Sequence, residues 1–445
     1  MIKLPNLEKS ANLLVELSQT RIVAKLVYND YTIARHYVRS DTLRINSSEI
    51  TADFLVEYLN ALEKYFDWEF FRNNSSEMMT FADEGFGLDS IIFILDTRAY
   101  PRKEYVEIIR EVSKDISILQ IDNGYVQDLL MGISEKLGYE DVVLVDLNLD
   151  NTYLYRLHRE KRRRTLNESN VHPYVFKHGK IELGNEWKVI DNINSPRLKA
   201  FLEIETNKTR LQNSWANYVL GDKGKSSVGS IKDLLRAYMA LQLLTIRNDN
   251  KGSFDKIGEN KYSTLVLVTG SITTSLQYST MLLSLIDAME LTDVCDIAVD
   301  NTFSTYNLGK VYAGGVSKTG FLTHVEDFIS RLDQIVIPDV ANEGEKKRVL
   351  FTAKITNEKG DEKNVYALSN EITQIIVDRD VDIQEIKGEF IKGSSLYSEF
   401  KYGLIVGKRK YNSVIVDSRY RPIIYGPEPK DNHIKMSSWM NAPIV

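Results

Sequence analysis

Residues 140–157 read EDVVLVDLNLDNTYLYRL, in which two runs of buried-strand residues flank a polar bend. Short runs of β-branched and apolar residues are typical of strands, so the stretch predicts a β-hairpin. A tight bend between strands needs only a pair such as Asn-Gly. This bend instead carries Asp146, Asn148, Asp150, Asn151 and Thr152, more polar groups than chain reversal requires. The surplus indicates either a ligand site or a plain hairpin in which side chains cap the bend's own backbone groups.

The same order of elements occurs twice in the chain. In the first copy, a meander, a helix, a strand, a helix, a strand and a helix are predicted near residues 11–40, 50–66, 90–97, 105–116, 116–122 and 124–138. The second copy begins at the hairpin. It continues through a helical region from about 196, the segment LVLVTGS, a long helix, the strand VCDIAVD and the segment NLGKVYAG. Repetition at this length predicts duplicated α/β lobes and not a solenoid of short repeats.

From residue 336 onward the sequence changes to short strands at the roughly 8–12 residue spacing of all-β modules. These strands predict a separate small barrel or sandwich. The predicted domains are a first lobe at 1–135, a second lobe at 136–335 with a helical insertion at about 196–260, and a C-terminal β-rich domain at 336–445.

The doubled unit of a meander followed by helices and strands resembles the actin, heat-shock protein and sugar-kinase superfamily (ASKHA). Within it, the order LVLVTGS, long helix, IAVD and NLGKVYAG looks most like the MutL (glutamate mutase L) branch, with PilM and FtsA as further comparisons. The resemblance covers about residues 11–330. It implies two actin-like (ribonuclease H-like) lobes around a cleft, with ATP and magnesium held by the bend after the first strand of each lobe.

Three segments correspond to the superfamily's nucleotide site. The resemblance implies cofactor-binding residues at the first phosphate bend, the second phosphate bend and the adenosine segment: Glu16, Ser18 and Thr20; Asp146, Asn148, Asp150 and Thr152; Thr269, Gly270 and Ser271. Asp146 and Asp150 are the implied magnesium residues, since magnesium prefers oxygen ligands and keeps waters that carboxylates hold.

Both phosphate bends depart from the superfamily's pattern. Neither contains glycine, which elsewhere lets a backbone approach phosphate closely, and Glu16 is one methylene longer than the usual Asp. The cofactor expected is therefore ATP with magnesium held loosely, or none. For Thr269-Gly270-Ser271, the alternative is an ordinary strand-to-helix turn with Ser271 as N-cap.

Composition excludes several other classes of site. Cys295 is the single cysteine, and the six histidines do not fall at metal-ligand spacing, which argues against disulfides, zinc and thiol chemistry. A net charge of −6 argues against general nucleic-acid binding. With no apolar run near the roughly 18 residues of a spanning helix and no signal pattern, a cytoplasmic location is expected.

The run RLHREKRRR at 156–164 is strongly basic within an acidic chain. It is a candidate docking site for an acidic partner, a nucleic acid or an anionic membrane surface, and the alternative is a solvated loop.

These features favour a scaffold or assembly protein, a pseudo-ATPase that organises protein partners. The alternative is an ATP-hydrolysing chaperone or reactivating factor of the MutL type. No nucleophile motif and no sugar-binding signature is present, so we expect at most a weak Mg-dependent ATPase. Oligomers or filaments stay open.

Replacing Arg162, Arg163 and Arg164 with Ser should leave the free energy of unfolding within about 0.5 kcal/mol of wild type and weaken partner capture in pull-downs. The control removes Lys223 and Lys225, two cations of the segment GDKGKSSVGS at 221–230, which the sequence predicts to be a flexible loop between helices. Retention of every partner by the arginine variant would contradict docking at this run.

Overall fold

Two mixed β-sheets and a smaller antiparallel sheet carry the fold in the computed structural model of the protein. The structure describes residues 9–17, 21–30, 35–44, 50–73, 90–96, 103–112, 117–121, 123–148, 151–159, 174–182, 209, 212–213, 215–216, 229–250, 252–254, 257, 264–270, 272–273, 276–300, 331–338, 349–357, 362–369, 371–376, 383–390, 404–405 and 412–419. Among these, residues up to Gly132 form unit 1 and residues from Ile133 form unit 2. None of the described helices is long and apolar enough to cross a bilayer.

Unit 1 contains a five-stranded sheet. Its strands are β1 (Lys9–Leu17), β2 (Arg21–Asp30), β3 (Arg35–Arg44), β4 (Ser90–Asp96) and β5 (Ser117–Ile121). The strand order is β3-β2-β1-β4-β5, with β1, β2 and β3 antiparallel and with β4 and β5 parallel to β1. The helices that follow β3, β4 and β5 are α1 (Ala52–Asn73), α2 (Lys103–Val112) and α3 (Asn123–Leu137).

The core of unit 1 follows directly from sequence periodicity. Alternate residues of β1 share one face of the sheet, and Leu13, Val15 and Leu17 are all buried. Helices α1 and α2 contribute residues at helical spacing to the same cluster: Leu55, Tyr58 and Leu62; Tyr105 and Ile109. Thr51 caps α1, because its side-chain oxygen accepts a 3.2 Å hydrogen bond from the Phe54 N–H.

Unit 2 repeats this arrangement in a larger sheet. Its first five strands are β6 (Asp141–Leu147), β7 (Asn151–Arg159), β8 (Tyr174–Glu182), β9 (Thr264–Thr269) and β10 (Asp293–Val299). They lie in the order β8-β7-β6-β9-β10, with the same antiparallel and parallel senses as the sheet of unit 1. The duplicated α/β architecture predicted from the sequence is therefore confirmed.

The two hairpins match in register as well as in order. The last pairs before the bends are Leu17 with Ile22 and Leu147 with Thr152, so each bend spans the same number of residues, 18–21 and 148–151. The residue directly before each of these leucines is a buried acid, Glu16 on β1 and Asp146 on β6. Each acid lies on the strand that joins the meander to the parallel strands of its sheet.

Two helices, α4 (Gly229–Asp249) and α5 (Tyr278–Met289), cover one face of the unit 2 sheet. Their apolar side chains join those of Val143, Val145 and Val266 in one core cluster. Arg247 connects the helices by donating to the Ala288 carbonyl oxygen at 3.1 Å and by pairing with Glu290 at 2.7 Å. A cation near the last carbonyls of a helix is favourable, so this contact also stabilises the end of α5.

The C-terminal region divides between two sheets. After β11 (Arg331–Ile337), which pairs with β10, come β12 (Val349–Asn357), β13 (Glu362–Leu368), β14 (Ile372–Ile376), β15 (Ile383–Phe390), β16 (Leu404–Ile405) and β17 (Ser413–Asp417). The order β13-β12-β15-β16 forms a sheet of its own, whereas β17 and β14 extend the unit 2 sheet beyond β11. The expectation of a wholly separate β-domain is thus met only in part, because β17 is buried along its length and pairs on both sides.

An ion cluster fixes this extension to α5. Arg419, whose side chain is 0% exposed, donates to both carboxylate oxygens of Asp417 at 2.8 and 2.7 Å. It also donates to Asp287 of α5 at 2.8 and 3.2 Å. Burial disfavours the charged guanidinium, but the two carboxylates outweigh that cost and raise the pKa of Arg419 above its ordinary value.

Replacing Arg419 with Leu should lower the free energy of unfolding by about 3–5 kcal/mol, because two buried carboxylates lose their cation. The control is Arg159→Leu, which breaks an exposed 4.0 Å pair with Glu140 and should cost less than about 1 kcal/mol. Urea unfolding followed by circular dichroism measures both. Equal losses would contradict a structural role for the buried cluster.

Candidate functional site

The bend of the unit 2 hairpin is held by its own polar groups. The Asn148 N–H donates to the Asn151 carbonyl oxygen at 3.0 Å. The side-chain nitrogen of Asn148, Nδ2, lies 2.8 Å from Asp146 Oδ1 and 3.4 Å from Asn151 Oδ1. Asp146 and Asn151 are only 4% and 8% exposed. The described polar residues of the bend therefore bind one another, and Asp146 accepts from the side-chain amide of Asn148.

Thr152 faces away from Asp146. It lies on the sheet face that α4 covers, and its hydroxyl donates to Gln242 Oε1 of α4 at 2.7 Å. Thr152 is fully buried, and the other amide atom of Gln242, Nε2, has no hydrogen-bond partner among the described residues. The Thr152 hydroxyl thus connects the hairpin to α4.

The turn after β9 touches the hairpin directly. Thr269 is the register partner of Asp146 on the neighbouring parallel strand, and the Ile272 N–H donates to the Leu147 carbonyl oxygen at 3.0 Å. Gly270 has φ of +110°, and a Cβ there would lie 2.2 Å from the Leu147 oxygen. The space that glycine leaves is therefore filled by the backbone of Leu147, which gives Gly270 a structural reason of its own.

Asp300, which the sequence analysis did not select, ends the next strand. Its N–H donates to the Val268 carbonyl oxygen at 2.9 Å, and Thr269 Oγ1 lies 3.5 Å from its carbonyl oxygen. The side chain is fully buried. Asp300 could have been found from the sequence as an acidic residue directly after a buried strand, since Asp146 occupies a comparable place at the end of β6. The carboxyl ends of β6, β9 and β10 thus gather Asp146, Thr269 with Gly270, and Asp300 at one edge of the sheet.

Several predicted site residues are placed elsewhere or lie outside the described part. Glu16 belongs to unit 1, where it is 9% exposed and pairs in register with Val23 and Ile94. Outside the described residues lie four members of the predicted set: Ser18, Thr20, Asp150 and Ser271. Their roles stay predictions.

The described side chains at the bend do not fit a directly bound magnesium ion, because Asn148 Nδ2 donates to Asp146 Oδ1 and uses one lone pair of that oxygen. The role of Asp146 and Asp150 in holding magnesium through water stays a prediction, since Asp150 lies outside the described residues. Within the described ranges, no group of three or more His, Cys, Asp or Glu side chains is arranged to hold a metal ion.

Burial raises the pKa of the Cys295 thiol, aided by nearby carboxylates such as Asp296, so this thiol stays protonated.

The basic run begins later than its sequence indicates. Arg156 lies within β7 and forms a two-pronged ion pair with Asp141, at 2.9 and 2.8 Å, with both side chains buried. It also lies 3.3 Å from the Ser253 carbonyl oxygen. Counting Arg156 among the docking cations was therefore wrong, because alternation along β7 turns it into the protein. Arg159 is exposed beside Glu140, and residues 160–164 lie outside the described part.

Both sheets contain the same five-strand order, and the unit 2 sheet adds β11, β17 and β14. No family model and no curated protein sequence matches the chain. Among solved structures, the chain is similar to the ethanolamine utilization protein EutJ from Carboxydothermus hydrogenoformans, with 11% identity, TM-score 0.32, and 66% of this chain and 85% of that chain covered.

Two further similarities have the same strength. A non-polymerisable quadruple mutant of pCBH ParM gives 13% identity, TM-score 0.32, and coverage of 68% and 99%. A Ppx/GppA family member from Aquifex aeolicus gives 9% identity, TM-score 0.33, and coverage of 69% and 100%. TM-scores this far below 0.5 do not support an assignment. The fold is assigned from the order and register of the strands in the two sheets.

Replacing Gly270 with Ala should cost roughly 3 kcal/mol or more, because backbone strain of about 1–3 kcal/mol adds to a clash with Leu147. The matched control is Gly138→Ala, where φ is +73° and nothing lies within 4 Å, so only strain of roughly 1–2 kcal/mol applies. Urea unfolding compares the two variants. A Gly270 variant no less stable than the Gly138 variant would contradict the close approach.

Proposed function

We propose that the protein is an actin-like-fold scaffold that organises protein partners and binds ATP weakly, without a tightly held magnesium ion and without turnover. The observation that carries this proposal is the internal use of hydrogen-bond donors at the edge where β6, β9 and β10 end. The cleft between two lobes that the resemblance implies stays a prediction, as does a cytoplasmic location.

Phosphate binding by a bend depends on backbone N–H groups that point at the ligand. Here the Asn148 N–H donates to Asn151, the Ile272 N–H to Leu147 and the Thr273 N–H to Gly270. A phosphate that used these donors would have to break bonds within the protein first. This cost supports weak binding.

The added β-structure supports the scaffold part of the proposal. The β13-β12-β15-β16 sheet has no equivalent among the described residues of unit 1 and displays Tyr366, which is 55% exposed, on the edge strand β13. Exposed aromatic side chains are frequent anchors of protein interfaces. Residues 160–164 remain a sequence-based docking candidate, and oligomer or filament formation belongs to the same proposal.

One observation favours the alternative, an ATP-hydrolysing chaperone or reactivating factor of the MutL type. Glu16 and Asp146 occupy equivalent register positions in the two hairpins, and both are buried. A buried carboxylate is costly to keep, so its presence in both copies is what a hydrolysing site would need.

ATP turnover separates the two candidates. The scaffold proposal predicts that ATP raises the melting temperature with no magnesium-dependent phosphate release above background. At 100 times the Kd, binding adds about 2.7 kcal/mol of stability.

The variants for this test are Asp146→Ala and, as a carboxylate control, Asp249→Ala at the exposed end of α4. Magnesium-dependent turnover that is lost in the Asp146 variant and kept in the Asp249 variant would overturn the scaffold proposal and establish the ATPase. Absence of any stabilisation by ATP would overturn the nucleotide part.

A further inference from the structure

We propose that Asn148 is a built-in substitute for a cation-bound water at the unit 2 bend. Its amide nitrogen occupies the place of a metal-bound water between two oxygen atoms, and this residue sets the weakness of magnesium binding. The inference rests on the proposed function, since it explains why an actin-like hairpin with a buried acid binds nucleotide only weakly.

Two distances place the side-chain amide of Asn148 between two oxygen atoms. Asn148 Nδ2 stands 2.8 Å from Asp146 Oδ1 and 3.4 Å from Asn151 Oδ1. The two N–H groups of one amide nitrogen can address two oxygens, as the two protons of a water molecule can. Magnesium in proteins usually keeps several of its waters, which carboxylates and amide oxygens bind through hydrogen bonds. Asn148 therefore makes the contacts that such a water would make.

The Asn148 amide competes with a hydrated cation for Asp146 Oδ1. A hydrated cation can reach Asp146 Oδ1 only after the Asn148 side chain rotates away and gives up its bond to the carboxylate. Hydrogen bonds to charged groups are stronger than those between neutral groups, and Asp146 is only 4% exposed. The bond is thus well protected from solvent, which favours the closed arrangement.

The frame of the bend does not depend on this side chain. The backbone bond from Asn148 to Asn151 and the pairing of Leu147 with Thr152 would remain in a variant that lacks the amide. Removing the amide should therefore take this donor away from the two oxygens without unfolding the hairpin.

The first experiment measures binding of Mg·ATP to wild type and to Asn148→Ala by calorimetry. The inference predicts binding at least about tenfold tighter in the variant, which corresponds to about 1.4 kcal/mol. Asn151→Ala is the control, because it removes an oxygen and leaves the amide on Asp146, so it should not tighten binding. Equal affinities for wild type and Asn148→Ala would overturn the inference.

A second experiment uses the isosteric change Asn148→Asp and magnesium chloride alone, with sodium chloride at equal ionic strength as reference. Two adjacent carboxylates should lower the melting temperature without divalent cations, and magnesium should raise it again. The double variant Asp146→Asn with Asn148→Asp should lose that response. A melting temperature of Asn148→Asp that does not respond to magnesium would contradict a cation position between these side chains.

The two proposals fail separately. Wild-type turnover or a lack of ATP binding bears on the proposed function, whereas the difference between wild type and the Asn148 variants bears on the inference alone.

Discussion

The close approach of two backbones, at Leu147 and Gly270, is the constraint on which the candidate site depends. The Leu147 carbonyl oxygen accepts the Ile272 N–H, and no side-chain atom fits between Gly270 and Leu147. This contact locks the hairpin of β6 and β7 to the turn between β9 and α5. It brings Asp146 beside Thr269, and it uses the Ile272 N–H as a donor within the protein. Assembly of the edge and the weak nucleotide binding that we propose thus have one cause.

Duplication explains why acids stand where they do. Glu16 and Asp146 differ in length and neighbours, yet each lies one position before the last pair of a hairpin with the same bend length. Each hairpin continues into strands of the same order and sense. The equivalence is one of register, and it is independent of residue identity. A fold of this kind can therefore keep the position of a buried acid while the residue at that position changes from Glu to Asp.

Sequence periodicity predicted the elements well and their partners less well. Apolar runs such as VVLVD and LVLVT predict strands because both sheet faces must be apolar, and the doubled order followed from them. The same kind of run in β17 does not indicate which sheet it joins, since that depends on the distant residues Asp287 and Arg419. Arg156 was counted in a basic loop, although its alternation with Leu154 along β7 placed it on an inward face. The contact of Gly270 with the Leu147 backbone could not be predicted from the sequence, because a close approach of two backbones produces no periodic pattern of residues.

Hydrogen–deuterium exchange of overlapping peptides that cover residues 141–159 and 264–277 tests the central claim most directly. If the bend and the turn already bind one another, the amides of Asn148 and Ile272 are protected in the nucleotide-free protein, and Mg·ATP changes their exchange little. Fast exchange without nucleotide, followed by strong protection when Mg·ATP is added, would show that these donors are free for phosphate and would contradict the account.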